Sequence, residues 1–127
     1  MQLAELGGIS MAEKRDNRPL ESAEESYFAA KVKALGGVSY KFGQNGLPDR
    51  IVLFPAGVAS REAVVLFVEL KREGERPRPL QESRHKELRH YGANVVPYID
   101  SHRATNEFIA AVKDGRLKSY LERFWTE

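Results

Sequence analysis

The segments GLPDRIVLF (residues 46–54) and VVLFVELK (residues 64–71) decide how this chain folds. Each holds an unbroken apolar run with β-branched residues, which is typical of buried strands. The connection between them, PAGVASREA (55–63), contains the Pro, Gly and Ser residues that favour a hairpin. We therefore predict that strands 50–54 and 64–70 pair as a hairpin, and that the second strand is central and covered on both faces.

Charged residues stand at the ends of these two strands. Asp49 precedes the first strand, and Glu69 and Lys71 end the second. Side chains two apart on a strand share a face, so Glu69 and Lys71 project together, and the hairpin brings Asp49 within reach of Glu69. Converging carboxylates repel each other unless a positive charge lies between them, and their oxygens suit a hard cation such as Mg²⁺.

This arrangement predicts metal-assisted hydrolysis of a phosphodiester. Lys71 would orient or deprotonate the attacking water, or stabilise the pentavalent transition state. The alternative is that each charged residue is an ordinary solvated strand end, and Pro-Asp is a common turn dipeptide. The ordered combination of turn, strand, connection, strand and Glu-x-Lys favours the site.

The rest of the chain extends this hairpin into a mixed sheet with helices. Apolar spacing predicts a helix over 20–35 that is closed by Gly36-Gly37, then a strand over 38–42. A helix over about 80–91, a strand over 94–100, a helix over 103–115 and a short helix in the tail follow. Pro97 indicates an edge strand or a bulge. The order α-β-β-β-α-β-α predicts an α/β (α+β-like) fold with a central mixed sheet flanked by helices.

Composition limits the chain to a single globular domain. It has 127 residues, of which 42% are apolar and 30% are charged, with no cysteine and a net charge of +2. We predict a flexible leader over 1–19, with Met11 as an alternative start, and one domain over 20–127. No run matches a membrane span and no signal peptide is evident, which fits a cytoplasmic location. The absence of cysteine excludes disulfides, a thiolate nucleophile and a Cys-based zinc site.

Three segments resemble a known family, the virus-type replication-repair nuclease (VRR-NUC) domain. They are ESYFAAKVKALGGVSYKF (25–42), GLPDRIVLFPAG (46–57) and LFVELKREGERPRPLQESRHKELRHYGANVVPYIDS (66–101). The resemblance covers about residues 21–112, nearly the whole globular part. It implies the restriction-endonuclease-like fold of the PD-(D/E)xK superfamily.

The resemblance also implies a set of site residues. Asp49, Glu69 and the carbonyl of Leu70 would hold Mg²⁺ or Mn²⁺, and Lys71 would stand beside the attacking water. Gln81 matches the glutamine of the next helix, at the rim of the site.

A glutamate of the first helix often completes such a site. Glu25 fits the family's helix best and is our choice for this catalytic role. Helical phase leaves Glu21 and Glu24 open, and all three also suit the dipole at a helix N-terminus.

Basic residues around these motifs are candidates for DNA binding, although each is equally explained as a solvated charge. They are Lys41, Arg72, Arg76, Arg78, Arg84 and His85. His85 lies one turn after Gln81 on the same helix face, where it is a candidate to touch a phosphate or to help at the site, and a solvated histidine is the simpler interpretation. The aromatic residues do not interleave with basic residues along the sequence, so we assign them to the core or to an interface.

The resemblance implies a stand-alone, Mg²⁺- or Mn²⁺-dependent DNA endonuclease. It implies a phage-type homodimer that cuts branched DNA such as four-way (Holliday) junctions during DNA repair, in a bacterial cell or a phage-infected host. Two symmetric sites suit a symmetric junction. The alternative is a non-catalytic DNA-binding or assembly protein that keeps the fold. The presence of Asp49, Glu69, Lys71 and Gln81 together favours the enzyme.

Overall fold

The structure, a computed structural model, describes residues 18–43 and 45–125, with side chains described from residue 23 onward. This part of the chain contains the following elements in order. They are α1 (Arg18–Ala34), β1 (Val38–Lys41), β2 (Arg50–Phe54), β3 (Val64–Leu70), α2 (Pro79–His90), β4 (Asn94–Ile99), α3 (His102–Lys113) and α4 (Leu117–Glu122). The predicted order of helices and strands is confirmed, with α4 as the predicted short helix of the tail.

The first helix begins slightly earlier than the sequence pattern indicates. It starts at Arg18, inside the range 1–19 that was assigned to a leader. The remainder of that range, with Met11, lies outside the described residues, so the leader stays a prediction. At its other end α1 is closed as predicted, because Gly37 N–H donates to the carbonyl of Val32 at 3.0 Å.

The four strands form one mixed sheet in the order β1-β2-β3-β4. Strand β2 pairs antiparallel with both β1 and β3, and Arg50 lies opposite Val68. This register confirms the predicted hairpin. Strand β4 runs parallel to β3 at the sheet edge, in agreement with the edge position predicted from Pro97.

The pairing of β3 with β4 is irregular beside Glu69. Val68 pairs with Val96, but Leu70 pairs with Ile99, so β4 contains one residue more than the facing part of β3. This bulge includes Pro97, which has no N–H to donate to a ladder. Pro97 therefore lies both on an edge strand and in a bulge.

The hydrophobic core lies on one face of the sheet, under α1, α3 and α4. Its strand residues alternate with the charged ones: Val68 and Leu70 are at most 1% exposed and belong to the core that contains Phe28 of α1 and Phe108 of α3. Burying each such side chain contributes about 1.5–3 kcal/mol. Because successive strand residues point to opposite faces, Glu69 points to the other face, which α2 covers. The sheet thus separates an apolar side from a polar side.

No helix in the described part of the chain combines the length and the apolar character that a membrane crossing requires.

Candidate active site

Asp49 is fixed at the end of β3 by a backbone hydrogen bond. Its Oδ2 accepts from the N–H of Leu70 at 2.9 Å. The turn before it packs on α2: Gly46 has a φ of +80°, and a Cβ at this position would lie 2.9 Å from Cγ of Leu80. Glycine is required there on both counts, so the turn residue helps to set the position of Asp49.

The carboxyl groups of Asp49 and Glu69 lie close enough to interact strongly. Burial raises the pKa of Asp49 to about 6, and the negative charge of Glu69 and a hydrogen bond to Glu69 act in the same direction. The Leu70 N–H and the charge of Lys71 act against this rise in pKa. Glu69 itself is 1% exposed. The pair is therefore electrostatically strained in a way that a cation between the two groups would relieve.

Gln81 joins the two ends of the Glu-x-Lys motif. Its Oε1 accepts from Nζ of Lys71 at 2.7 Å and from the N–H of Arg78 at 2.9 Å, and its Nε2 donates to Oε2 of Glu69 at 3.1 Å. Only this orientation of the amide places its oxygen against two donors and its nitrogen against an acceptor. Gln81 therefore fixes the Glu69 and Lys71 side chains relative to each other and also caps the start of α2.

His85 of α2 contacts the carboxyl group of Glu69. Its Nε2 lies 3.3 Å from Oε1 of Glu69, and its side chain is 1% exposed. Burial lowers the pKa of His85 to about 4, with the charge of Lys71 acting in the same direction. The ring is therefore uncharged at neutral pH, and the contact is an Nε2–H hydrogen bond to a carboxylate, not an ion pair.

This burial corrects the interpretation of His85 from the sequence. The favoured interpretation, a solvated helix histidine, is wrong because the ring is 1% exposed. The alternative, that His85 helps at the site, agrees with its contact to Glu69, and its role as a DNA contact stays a prediction. Its spacing of four residues from Gln81 was the available signal, because both residues face the same side of α2.

The donor set suits a small, hard cation. The N–H and C=O of a strand residue point to the same side, so the Leu70 carbonyl is directed towards the Asp49 side, where its N–H bonds to Asp49. Among the described side chains, no group of three or more His, Asp or Glu residues is arranged to hold a metal. Two carboxylates, one carbonyl and water match the way in which Mg²⁺ is usually bound, since it keeps several waters and needs one or two carboxylates.

Glu25 meets the sheet from the other face. Its Oε1 lies 3.5 Å from Nζ of Lys41 and 3.6 Å from Nη2 of Arg50, and it is partly buried. Arg50 follows Asp49 directly, but its side chain points to the α1 face, opposite to Glu69. Glu25 therefore contacts Arg50, the residue that follows Asp49, from the face opposite to Glu69. The catalytic role of Glu25 stays a prediction.

The two alternatives to Glu25 are placed differently. Glu24 accepts a hydrogen bond at 2.8 Å from Nδ1 of His102, at the start of α3. The side chain of Glu21 lies outside the described residues.

The other predicted DNA contacts surround the site without converging on it. Lys41 is 74% exposed on β1, and Arg84 on α2 is 3.7 Å from Glu87. Arg72 is partly buried and follows Lys71, and Arg78 is exposed at the start of α2. Their roles in DNA binding stay predictions.

The chain is similar in sequence and in fold to two known proteins. The chain is 37% identical to "Putative nuclease p44" of Acyrthosiphon pisum secondary endosymbiont phage 1 over 79 residues. This alignment covers 60% of this chain and 78% of the relative. A solved structure described as "VRR_NUC domain" matches with a TM-score of 0.61 at 32% identity, over 72% of this chain and 95% of that one. No family model matches the chain.

Together with the mixed sheet and the polar site on its α2 face, these matches define a nuclease domain. The chain belongs to the VRR-NUC family, which confirms the resemblance stated from its sequence.

Proposed function

We propose that this protein is a Mg²⁺- or Mn²⁺-dependent DNA endonuclease with Asp49 and Glu69 as metal ligands. The observation that carries the proposal is the contact between two carboxyls, Glu69 buried and Asp49 partly buried, with the pKa of Asp49 raised to about 6. A protein that did not bind a cation here would gain nothing from this repulsion, and perturbed carboxyls of this kind cluster at functional sites. The Leu70 carbonyl would complete the protein ligands.

The residues of the chain have separate roles in this proposal. Lys71 is 8% exposed, and its Nζ is held at 2.7 Å by Oε1 of Gln81. A buried ammonium in this position orients the attacking water or stabilises negative charge on the phosphate. When bound, a divalent cation would supply Lewis-acid chemistry, which lowers the pKa of water and neutralises charge on the phosphate. Gln81 and His85 act as positioning residues, because they hold Lys71 and Glu69 in place.

The preferred substrate in this proposal is branched DNA, such as a four-way junction, and the active form is a homodimer in the bacterial cytoplasm. Two copies related by a twofold axis would present two sites to two strands of a symmetric junction. Lys41, Arg72, Arg78 and Arg84 would contact phosphates, which position a protein on DNA without reading its sequence.

Cleavage of a labelled four-way junction, beside a linear duplex of the same sequence, tests the proposal. With Mg²⁺ or Mn²⁺ the wild type should cut the junction, and chelator or Asp49→Ala should abolish cutting. Asp114→Ala is the matched control, because it removes an exposed carboxyl elsewhere, at the end of α3. Equal cutting of both substrates would keep the nuclease and remove the junction preference. Binding of the junction without cutting would replace the enzyme by a DNA-binding protein.

A further inference from the structure

A groove of about 360 Å³ crosses the open edge of the sheet, between α2 and the segment that follows α4. Its lining includes Pro97 and Tyr98 of the edge strand, Lys86 of α2 and Trp125 after α4. This volume lies within the range of about 300–1,000 Å³ that is usual for small-ligand sites. The groove, called the edge groove below, is lined largely by residues outside the candidate active site.

Arginine side chains lie over aromatic rings in and beside the edge groove. The distances from guanidinium carbon to ring centroid are 4.1 Å for Arg76 and Tyr98, 4.4 Å for Arg89 and Trp125, and 5.2 Å for Arg123 and Phe124. Unpaired bases stack both on aromatic rings and on guanidinium planes. These pairs form between separate elements, so the order of aromatic and basic residues along the sequence does not indicate them.

The charge of the edge groove suits phosphate groups. Its described lining includes three basic side chains, Arg76, Lys86 and Arg123, against one acidic side chain, Glu82, and Arg123 also pairs with Glu107 at 3.2 Å. Arg76 is already held in position, because its Nη1 lies 3.2 Å from Oδ2 of Asp100, yet its side chain remains 53% exposed. A guanidinium fixed in this way loses little conformational freedom when it binds a phosphate.

The edge groove adjoins the candidate active site through a loop and a helix. Arg76 belongs to the loop that follows Lys71, and Asp100 also ties this loop to β4 by accepting from the Gly74 N–H at 3.1 Å. His85 contacts Glu69 and also borders the edge groove. A nucleic-acid strand that leaves the site along this loop would therefore enter the groove.

We propose that the edge groove binds an unpaired nucleotide of the DNA strand next to the cleaved bond, an inference that rests on the proposed nuclease function. The base stacks on the outer face of the Arg76 guanidinium, whose inner face lies over Tyr98, and the phosphates contact Lys86 and the edge of Arg76. Duplex bases are already stacked on each other, so the groove favours branched substrates in which a nucleotide beside the cut is unpaired.

Trp125 allows this binding to be measured without cleavage, because it is the only tryptophan of the chain. Its Nε1 donates to the carbonyl of Val95 at 3.4 Å, which holds the indole at the edge groove. An oligothymidine of about eight nucleotides, within the usual range of single-strand sites, would be titrated in EDTA. We expect saturable quenching of Trp125 fluorescence and little quenching by a blunt duplex of similar length.

Substitutions of exposed side chains test which residues bind the oligothymidine, without disturbing the core. Arg76→Gln combined with Lys86→Gln should weaken oligothymidine binding by about tenfold or more, because two phosphate contacts are lost. Arg61→Gln is the matched control, since Arg61 is exposed in the connection between β2 and β3, and it should bind as the wild type does. Unchanged melting temperatures would show that the variants are folded.

Three results would overturn the proposal: no quenching by oligothymidine, equal quenching by the blunt duplex, or full binding by the double variant. A fluorescence change on dilution of the protein alone would also overturn it, because the edge groove would then be covered by a second copy. Junction cleavage by the same samples separates the two proposals. Cutting without quenching would exclude only nucleotide binding by the edge groove. Quenching without cutting would keep that binding and exclude the nuclease activity.

Discussion

At the residue scale, Gln81 contacts two catalytic candidates, Glu69 of β3 and Lys71, which follows that strand. Gln81→Leu would remove the hydrogen bonds to Nζ of Lys71 and Oε2 of Glu69 while keeping similar bulk. We expect cleavage to slow by about 10–100-fold, as for other groups that support catalytic ligands, with little change in DNA affinity. Single-turnover cleavage kinetics would measure this, with Ser83→Ala on the exposed side of α2 as the control. A wild-type rate in Gln81→Leu would show that the amide does not position the site.

Asp49 should reduce the stability of the metal-free fold. Its folded pKa of about 6 exceeds the ordinary 3.8, so the folded state binds this proton more tightly than the unfolded state. The penalty of the charged group is therefore full above pH 6 and disappears as the pH falls towards 4. In EDTA at pH 7.5, Asp49→Asn should melt a few degrees above the wild type.

Thermal unfolding at two pH values would check this prediction. Near pH 5 the folded carboxyl is largely protonated while the unfolded one is still ionised, so the advantage of Asp49→Asn should shrink, and it should vanish only towards pH 4. Asp114→Asn, at an exposed position, should show no such gain. A lower melting temperature for Asp49→Asn at pH 7.5 would mean that the Asp49 carboxylate stabilises the fold.

At the scale of single elements, the turn before β2 carries Asp49 to the site. Gly46→Ala would place a methyl group 2.9 Å from Cγ of Leu80 and force a φ of +80° on a residue with a side chain. The conformation alone costs about 1–2 kcal/mol. Urea unfolding should show at least that loss, together with weaker cleavage. Gly43→Ala is the control from the same loop, because a Cβ there meets no atom within 4 Å; equal effects of the two changes would contradict the prediction.

The bulge in β4 is the second element that forms the site. The extra residue falls between Val96 and Ile99, beside Glu69, and pairing resumes when the N–H of Lys71 donates to the carbonyl of Ile99 at 2.9 Å. Bulges of this kind are frequent next to active sites because they change the direction of a strand. In this chain the bulge also places Tyr98 towards Phe124 at the edge groove.

At the scale of the whole molecule, the sheet divides stability from chemistry. The face under α1, α3 and α4 contains most of the buried apolar side chains, whereas the face under α2 contains Glu69, Gln81 and His85. Variants on the α2 face are therefore expected to change activity more than stability. This division also explains why Glu25, which lies on the apolar side of the sheet, contacts Arg50 there, on the face opposite to Glu69.

The sequence was sufficient for the features that depend on local pattern. Apolar runs located the strands, turn residues indicated the hairpin, and strand alternation put Glu69 and Lys71 on one face. It was insufficient where contacts join distant elements. The burial of His85 depends on how α2 packs on the sheet, and the placement of Arg76 over Tyr98 depends on two elements that meet only in the folded chain. Helical phase alone also left the choice among Glu21, Glu24 and Glu25 open.

Calorimetric titration of the metal-free protein with Mn²⁺ tests the central claim, that Asp49 and Glu69 form a metal site. The wild type should bind Mn²⁺ with a measurable heat, and Glu69→Gln should lose this binding because one of the two carboxylates is gone. Glu82→Gln, which removes an exposed carboxylate from α2, should bind as the wild type does. Undiminished Mn²⁺ binding by Glu69→Gln would contradict the claim.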